Sequence, residues 1–207
     1  MKYSELIFDL YGTLVDIRTR ETEAVWDRTA LYFGYYGARY SGSELRGEFL
    51  RLLREREAAA GQDYECFPDV PVEGIMEELF TCKGIRENVS ALSLNAAQLF
   101  RVCSTEYIRL YPGVLEALEF LRSKGCRLWL LSNAQRVFTE YELRALGLLE
   151  KFDGVYISSD FGFRKPDTRF FKALIEAEGI DKSQALMIGN DRQTDIAGAK
   201  KAGLATL

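Results

Sequence analysis

The apolar positions of this chain change period along its length. An apolar run, "LIF", leads into Asp9 near the N-terminus, and four further short runs follow: "RLWLLS" at 127–132, "GVYIS" at 154–158, "ALMIG" at 185–189 and "GLATL" at 203–207. Each is too short for a helix and rich in leucine, aromatic or β-branched residues, the pattern of a strand covered on both faces. Between them the spacing becomes helical. Residues 113–125 carry apolar positions three and four apart and end on a glycine, residues 168–180 read the same way, and residues 194–203 form a short helix of small side chains suited to close packing on a sheet. Strands alternating with helices over 113–207 predict a doubly wound α/β domain with a parallel sheet.

Residues 16–90 differ. They hold a charged helical stretch at 42–61 and an aromatic cluster, "LYFGYYGARY", at 31–40, with no clear strand. The aromatics read as packing between helices rather than a substrate box, and the charge run at 51–57 as a solvated helix face. A long helix is expected over 90–113, leading back through the Pro112-Gly113 turn. The division expected is a Rossmann-like α/β/α core from residues 1–15 and 91–207, with a helical cap domain inserted at 16–90. "GLATL" closes the sequence in mid-pattern, so further chain past Leu207 is expected.

Composition narrows the chemistry. The formal net charge of −4 argues against nucleic acid as a partner. No run approaches the roughly 18 apolar residues of a membrane helix, and the N-terminus enters a strand pattern at once, unlike a signal peptide. A cytoplasmic location with no membrane partner is expected. The four cysteines, Cys66, Cys82, Cys103 and Cys126, are scattered without a CxxC pair and read as free thiols. There is no histidine. Ser-His-Asp and Cys-His catalysis and histidine-ligated zinc are thereby excluded, and the chemistry falls to carboxylates, lysine, tyrosine, hydroxyls and amides.

Those groups recur after the predicted strands. Asp9, Tyr11 and Thr13 follow the first, Ser132 and Asn133 the second, Lys165-Pro166 the third, and "GNDRQTD", with Asn190, Asp191 and Asp195, the fourth. In open α/β sheets ligands bind at this edge. A carboxylate such as Asp9 can act there as a nucleophile. Asn190 and Asp191 offer oxygen ligands for a hard cation such as Mg²⁺. Lys165 can neutralise Asp9 or substrate charge, and Ser132 and Asn133 can donate to anionic oxygens. A bland reading stands beside some of these: Asp195 as a cap on the helix that follows it, Lys165 as a solvated loop lysine.

The order of these four motifs resembles the haloacid dehalogenase-like hydrolases, many of which carry a helical cap in the position of residues 16–90. The resemblance implies Asp9 as nucleophile and metal ligand, and Tyr11 as a metal ligand through its backbone carbonyl. It further implies Thr13 in support of the turn, and Ser132 and Asn133 on the transferring group. Lys165 would hold Asp9 and substrate charge, Asp191 would bind Mg²⁺, and Asn190 and Asp195 would orient the site. A cap closing over the edge would exclude water and select a small anionic substrate.

One position departs from the phosphatase pattern. Phosphatases of the family carry an acid–base aspartate where this chain has Tyr11. A phenol of ordinary pKa about 10 is a poor base at neutral pH, and losing a positioned acid–base group typically costs about 10²–10⁴-fold in rate. "DLYGT" resembles instead the 2-haloacid dehalogenases, which attack carbon without a metal. That branch uses a cap arginine, for which Arg46 and then Arg39 are the candidates unless they are surface residues, and a tyrosine where this chain has Phe171. Its fourth motif is not acidic, whereas this one is. Three readings follow: a Mg²⁺-dependent phosphohydrolase, a metal-independent dehalogenase-type hydrolase, and a binding or regulatory module without turnover. The tyrosines at 32–40 could form a homodimer face.

Overall fold

The structure is a computed structural model and describes residues 2–61 and 66–207; residues 62–65 of the expected insert lie outside the described residues. In chain order the elements are β1 (Glu5–Phe8), β2 (Val15–Thr19), α1 (Glu23–Tyr35), α2 (Gly42–Ala60), α3 (Val72–Cys82), α4 (Val89–Ser104), β3 (Thr105–Leu110), α5 (Val114–Ser123), β4 (Arg127–Ser132), α6 (Arg136–Ala145), β5 (Gly154–Ile157), α7 (Thr168–Glu178), β6 (Ala185–Ile188), α8 (Gly198–Lys201) and β7 (Ala205–Thr206).

Five strands form one sheet in the order β5-β4-β1-β6-β7. All its pairings are parallel, with Phe8 opposite Leu130 on one side and Ile188 on the other. Alternation of side chains along a strand sends neighbours to opposite faces. Leu6, Phe8, Leu128 and Leu130 therefore pack with Val114 and Leu118 of α5 and Leu143 of α6. Ile7, Trp129 and Leu131 pack on the other face with Phe170, Phe171 and Leu174 of α7 and Ala199 of α8. This is the α/β/α arrangement expected, and it puts the C-terminal ends of β1, β4 and β6 at one edge.

The chain divides into two compact units: Met1–Ile17, Asp63–Asp69 and Ile108–Leu207 in one, Arg18–Gln62 and Val70–Tyr107 in the other. The second unit is helical, built from α1 to α4. Phe33 stacks on Phe80 with ring centres 3.9 Å apart, and Trp26 packs against Phe49 and Phe100.

The division falls elsewhere than the sequence suggests. The helix expected over 90–113 ends at Ser104 and gives way to β3, which pairs with β2. Leu92, Ala96 and Ala97 of α4 are buried, so α4 belongs with the helices and the boundary moves from 90/91 to 107/108. Residues 66–69, expected within the cap, belong to the α/β unit. Among the described residues no helix is long and apolar enough to cross a membrane, and all four cysteines are free.

Candidate active site at the edge of β1, β4 and β6

Asp9 stands one residue beyond β1, its N–H still donating to Ile188 O at 2.9 Å. The chain then turns tightly, with Thr13 and Leu14 N–H both donating to Leu10 O. Gly12 has φ +84°, and a Cβ there would lie 2.5 Å from Asn190 Nδ2. Only glycine satisfies both the left-handed backbone and this close approach. Thr13 Oγ1 lies 3.3 Å from Asp9 Oδ2 and 3.2 Å from Asn190 Oδ1, so its hydroxyl ties the turn after β1 to the loop after β6.

Lys165 is 1% exposed, and its ammonium donates to Asp9 Oδ1, Leu131 O and Asp195 Oδ1, each at 2.7 Å. All three N–H bonds of the ammonium are thus used, and a buried cation facing two carboxylates and a carbonyl is satisfied. Lys165 is not a solvated loop lysine. Burial raises the Asp9 carboxyl above its ordinary value; the Lys165 charge opposes this, and the Asp195 charge adds to it.

Asp195 is 1% exposed and its second oxygen accepts Asp191 N–H at 3.0 Å. It lies inside the π-helical turn Arg192–Ala197, and the cap of that turn is Asp191, whose Oδ1 accepts from Gln193 N and Thr194 N. The helix-cap reading of Asp195 is corrected accordingly. Those backbone donors, Thr194 first, hold the Asp191 carboxyl below its ordinary value. A Cβ on Gly189 would lie 2.4 Å from Asp195 Oδ2, so glycine there lets Asp195 reach Lys165.

Ser132 closes β4 at the same edge, fully buried, and its Oγ has no hydrogen-bond partner. An orphaned buried hydroxyl is costly unless a ligand completes it. Asn133 is used differently from the expectation that it donates to substrate: its Nδ2 donates to Lys165 O at 2.9 Å and its Oδ1 accepts Lys165 N–H at 2.8 Å, clamping the lysine's backbone.

Tyr11 directs its phenol to α6, donating to Glu142 Oε2 at 2.5 Å and lying 3.0 Å from Thr139 Oγ1. Phe171 is fully buried in the sheet core. Arg46 is exposed on α2 in the helical unit, on the wall of a 510 Å³ cleft shared with Trp26, Asp27 and Ser41.

Sequence reasoning missed Thr139 and Glu142, and also Gln135, Ser158 and Asp69. Asp69 accepts Gln135 Nε2 at 2.8 Å and the Ser158 hydroxyl. The prolines at 68 and 71 mark that stretch as extended, but nothing local says where it docks.

Among the described residues no three histidine, cysteine or acidic side chains converge as a ready-made metal cluster. The donors at the edge include hard oxygens, those of Asp9, whose Oδ2 takes a long contact from Thr13, and those of Asp191. Two carboxylates completed by water and substrate oxygens fit Mg²⁺, which keeps several waters and seldom takes an all-protein cage.

A family model described as haloacid dehalogenase-like hydrolase matches residues 6–203. The chain is 28% identical over 202 residues to a phosphoglycolate phosphatase of Agrobacterium fabrum, covering 97% of this chain and 78% of that protein. It is 29% identical over 160 residues to a glyceraldehyde 3-phosphate phosphatase of Methanothermobacter thermautotrophicus, covering 77% of this chain and 67% of that one. Its fold is that of a 2-haloacid dehalogenase from Pseudomonas syringae, with TM-score 0.66, 22% identity, and 99% and 85% of the two chains covered. A Bacillus subtilis HAD hydrolase solved with magnesium shares it as well, with TM-score 0.56, 21% identity, and 100% and 88% covered.

Proposed function

Because this chain belongs to the haloacid dehalogenase-like hydrolases, we propose that it is a Mg²⁺-dependent phosphohydrolase acting on a small anionic phosphomonoester through Asp9. The observation that carries this reading is the orphaned Ser132 hydroxyl, buried at the same sheet edge as the Asp9–Lys165–Asp195 network. A phosphoryl oxygen is the acceptor it lacks. The phosphatases among the relatives support the same choice.

In this mechanism Lys165 holds Asp9 Oδ1 and leaves Oδ2 to the weaker Thr13 contact. Asp9 attacks phosphorus, the bond from phosphorus to the leaving oxygen breaks, and that oxygen takes its proton from water. A second water attacks the phosphorus of the aspartyl phosphate, releasing phosphate and restoring the carboxylate. Ser132 donates to the phosphoryl oxygens as charge builds on them, and Lys165 offsets the charge of Asp9. Asp9, the Tyr11 carbonyl and Asp191 would hold Mg²⁺, which neutralises phosphate charge when bound. The Tyr11 phenol, committed to Glu142, is no substitute for an acid–base aspartate, so turnover is slow.

Tyr11 at that position favours a second reading, metal-independent hydrolysis at carbon. One assay separates the two: release of phosphate from phosphomonoesters and of halide from 2-haloacids, each with Mg²⁺ or EDTA, with Asp9→Asn as control. Phosphate release that requires both Mg²⁺ and Asp9 is expected. Halide release in EDTA would replace the phosphohydrolase reading, and no release in either arm would favour a binding module.

A further inference from the structure

The stretch Cys66–Asp69 lies in sequence between two helices of the helical unit, yet it belongs to the α/β unit. There it runs beside the loop that ends in Lys165. Phe67 O accepts Arg164 N–H at 2.8 Å, Asp69 N–H donates to Gly162 O at 3.0 Å, and Pro68 forms an antiparallel bridge with Phe163. The Asp69 side chain, 9% exposed, reaches two loops at once. It accepts from Gln135 Nε2 at 2.8 Å, two residues past Asn133, and from the hydroxyl of Ser158, just past β5. Ser158 Oγ in turn accepts Ala134 N–H at 2.9 Å. The loop after β4, which follows Ser132, and the loop after β5, which delivers Lys165, therefore meet at one buried carboxylate as well as at the Asn133–Lys165 backbone clamp.

A carboxylate is a stronger acceptor than an amide or hydroxyl, and burying one at the junction of two loops is costly unless it is fully hydrogen-bonded. The groups that depend on this junction are the two that must be held still. Lys165 has to meet Asp9 and Asp195 together, and the Ser132 hydroxyl has to wait unpartnered at the sheet edge. We propose that Asp69 is a positioning residue for the hydrolysis: by holding Gln135 and Ser158 together it fixes the spacing of the loops that present Ser132 and Lys165. Asp69 touches neither substrate nor reacting atoms. The proposal rests on the phosphohydrolase reading for its catalytic consequence, but not for the holding itself.

The test compares the full chain with Asp69→Asn and Ser158→Ala. Three quantities are read: amide hydrogen exchange over 133–135 and 162–167, kcat and KM for phosphoglycolate with Mg²⁺, and thermal midpoint. Asp69→Asn keeps the shape and removes the charge. Expected are faster exchange in both loops and kcat lower by about 10-fold with KM within about 2-fold, since small misplacements of catalytic groups fall mainly on kcat. Ser158→Ala should reproduce the effect, and the double variant should lose no more than the worse single one, because the two act as one unit. Unchanged exchange in Asp69→Asn overturns the proposal. So does unchanged kcat in an active enzyme, or a kcat loss that merely follows the thermal midpoint across both variants. If the wild type releases phosphate from none of the phosphomonoesters, the phosphohydrolase reading fails separately, and the exchange pattern alone decides whether Asp69 holds the loops.

Discussion

Lys165 carries more of this site than its place in a loop suggests. Its ammonium stands between two carboxylates, buried to 1% exposure. Lys165→Met keeps the length and apolar stem and removes the charge, leaving Asp9 and Asp195 facing each other uncompensated. Removing one partner of a buried ionic group typically costs about 3–5 kcal/mol, a loss expected in urea unfolding at neutral pH together with loss of phosphate release. The deficit should shrink as pH falls, because burial and the neighbouring Asp195 charge already raise the Asp9 carboxyl, and a proton on Asp9 removes the uncompensated pair. Asp9 and Ser132 stand out in the sequence because they lie at the ends of apolar runs, whereas Lys165 and Asp195 lie in the loop or turn beyond the next two and stand out only through the order of the four motifs. Their partners do not. That Asn133 spends both ends of its amide on the Lys165 backbone, and that the Tyr11 phenol turns to Glu142, depends on side-chain directions that spacing along the chain does not encode.

At the scale of elements, the strands of the sheet could be read almost residue by residue, since burial on both faces leaves an unbroken apolar run. β3 could not. "TEYIRL" is only partly buried, and it pairs with β2, some ninety positions earlier. Helical periodicity continues up to that point and carries the expected helix through it. α2 illustrates the opposite case, a helix whose start is written locally. Ser41 accepts Glu44 N–H while the Glu44 carboxylate accepts Ser41 N–H, a reciprocal capping box on a helix that buries few of its own residues. The first turn is also packed through Gly42 and Leu45, so the cap adds to burial there and its loss should be felt without unfolding the helix. Ser41→Ala is expected to lower stability by about 0.5–2 kcal/mol in chemical denaturation, with no change in the kinetics of the α/β site. A change in KM would show instead that the start of α2 takes part in binding substrate.

At the scale of the whole chain, two units of different architecture carry no disulfide among the described residues, since Cys66, Cys82, Cys103 and Cys126 are all free. Thermal unfolding should therefore be indifferent to reductant, and alkylation after denaturation should label four thiols per chain without prior reduction. Fewer labels, or a midpoint that falls when reductant is added, would reveal a disulfide.

The docking of Cys66–Asp69 beside Gly162–Arg164 also bears on how such a protein can be cut and recombined. A helical domain that leaves its host once and returns once is a module: it can be removed, or exchanged for another, with a short linker across the gap. Here the chain visits the α/β unit midway through the helical segment. Excising 18–107 as one block would strip Gly162 O and Arg164 N of their backbone partners and take away the carboxylate that Gln135 and Ser158 share. A graft that respects this fold needs two junctions more than a simple insertion, one on either side of the stretch that comes back.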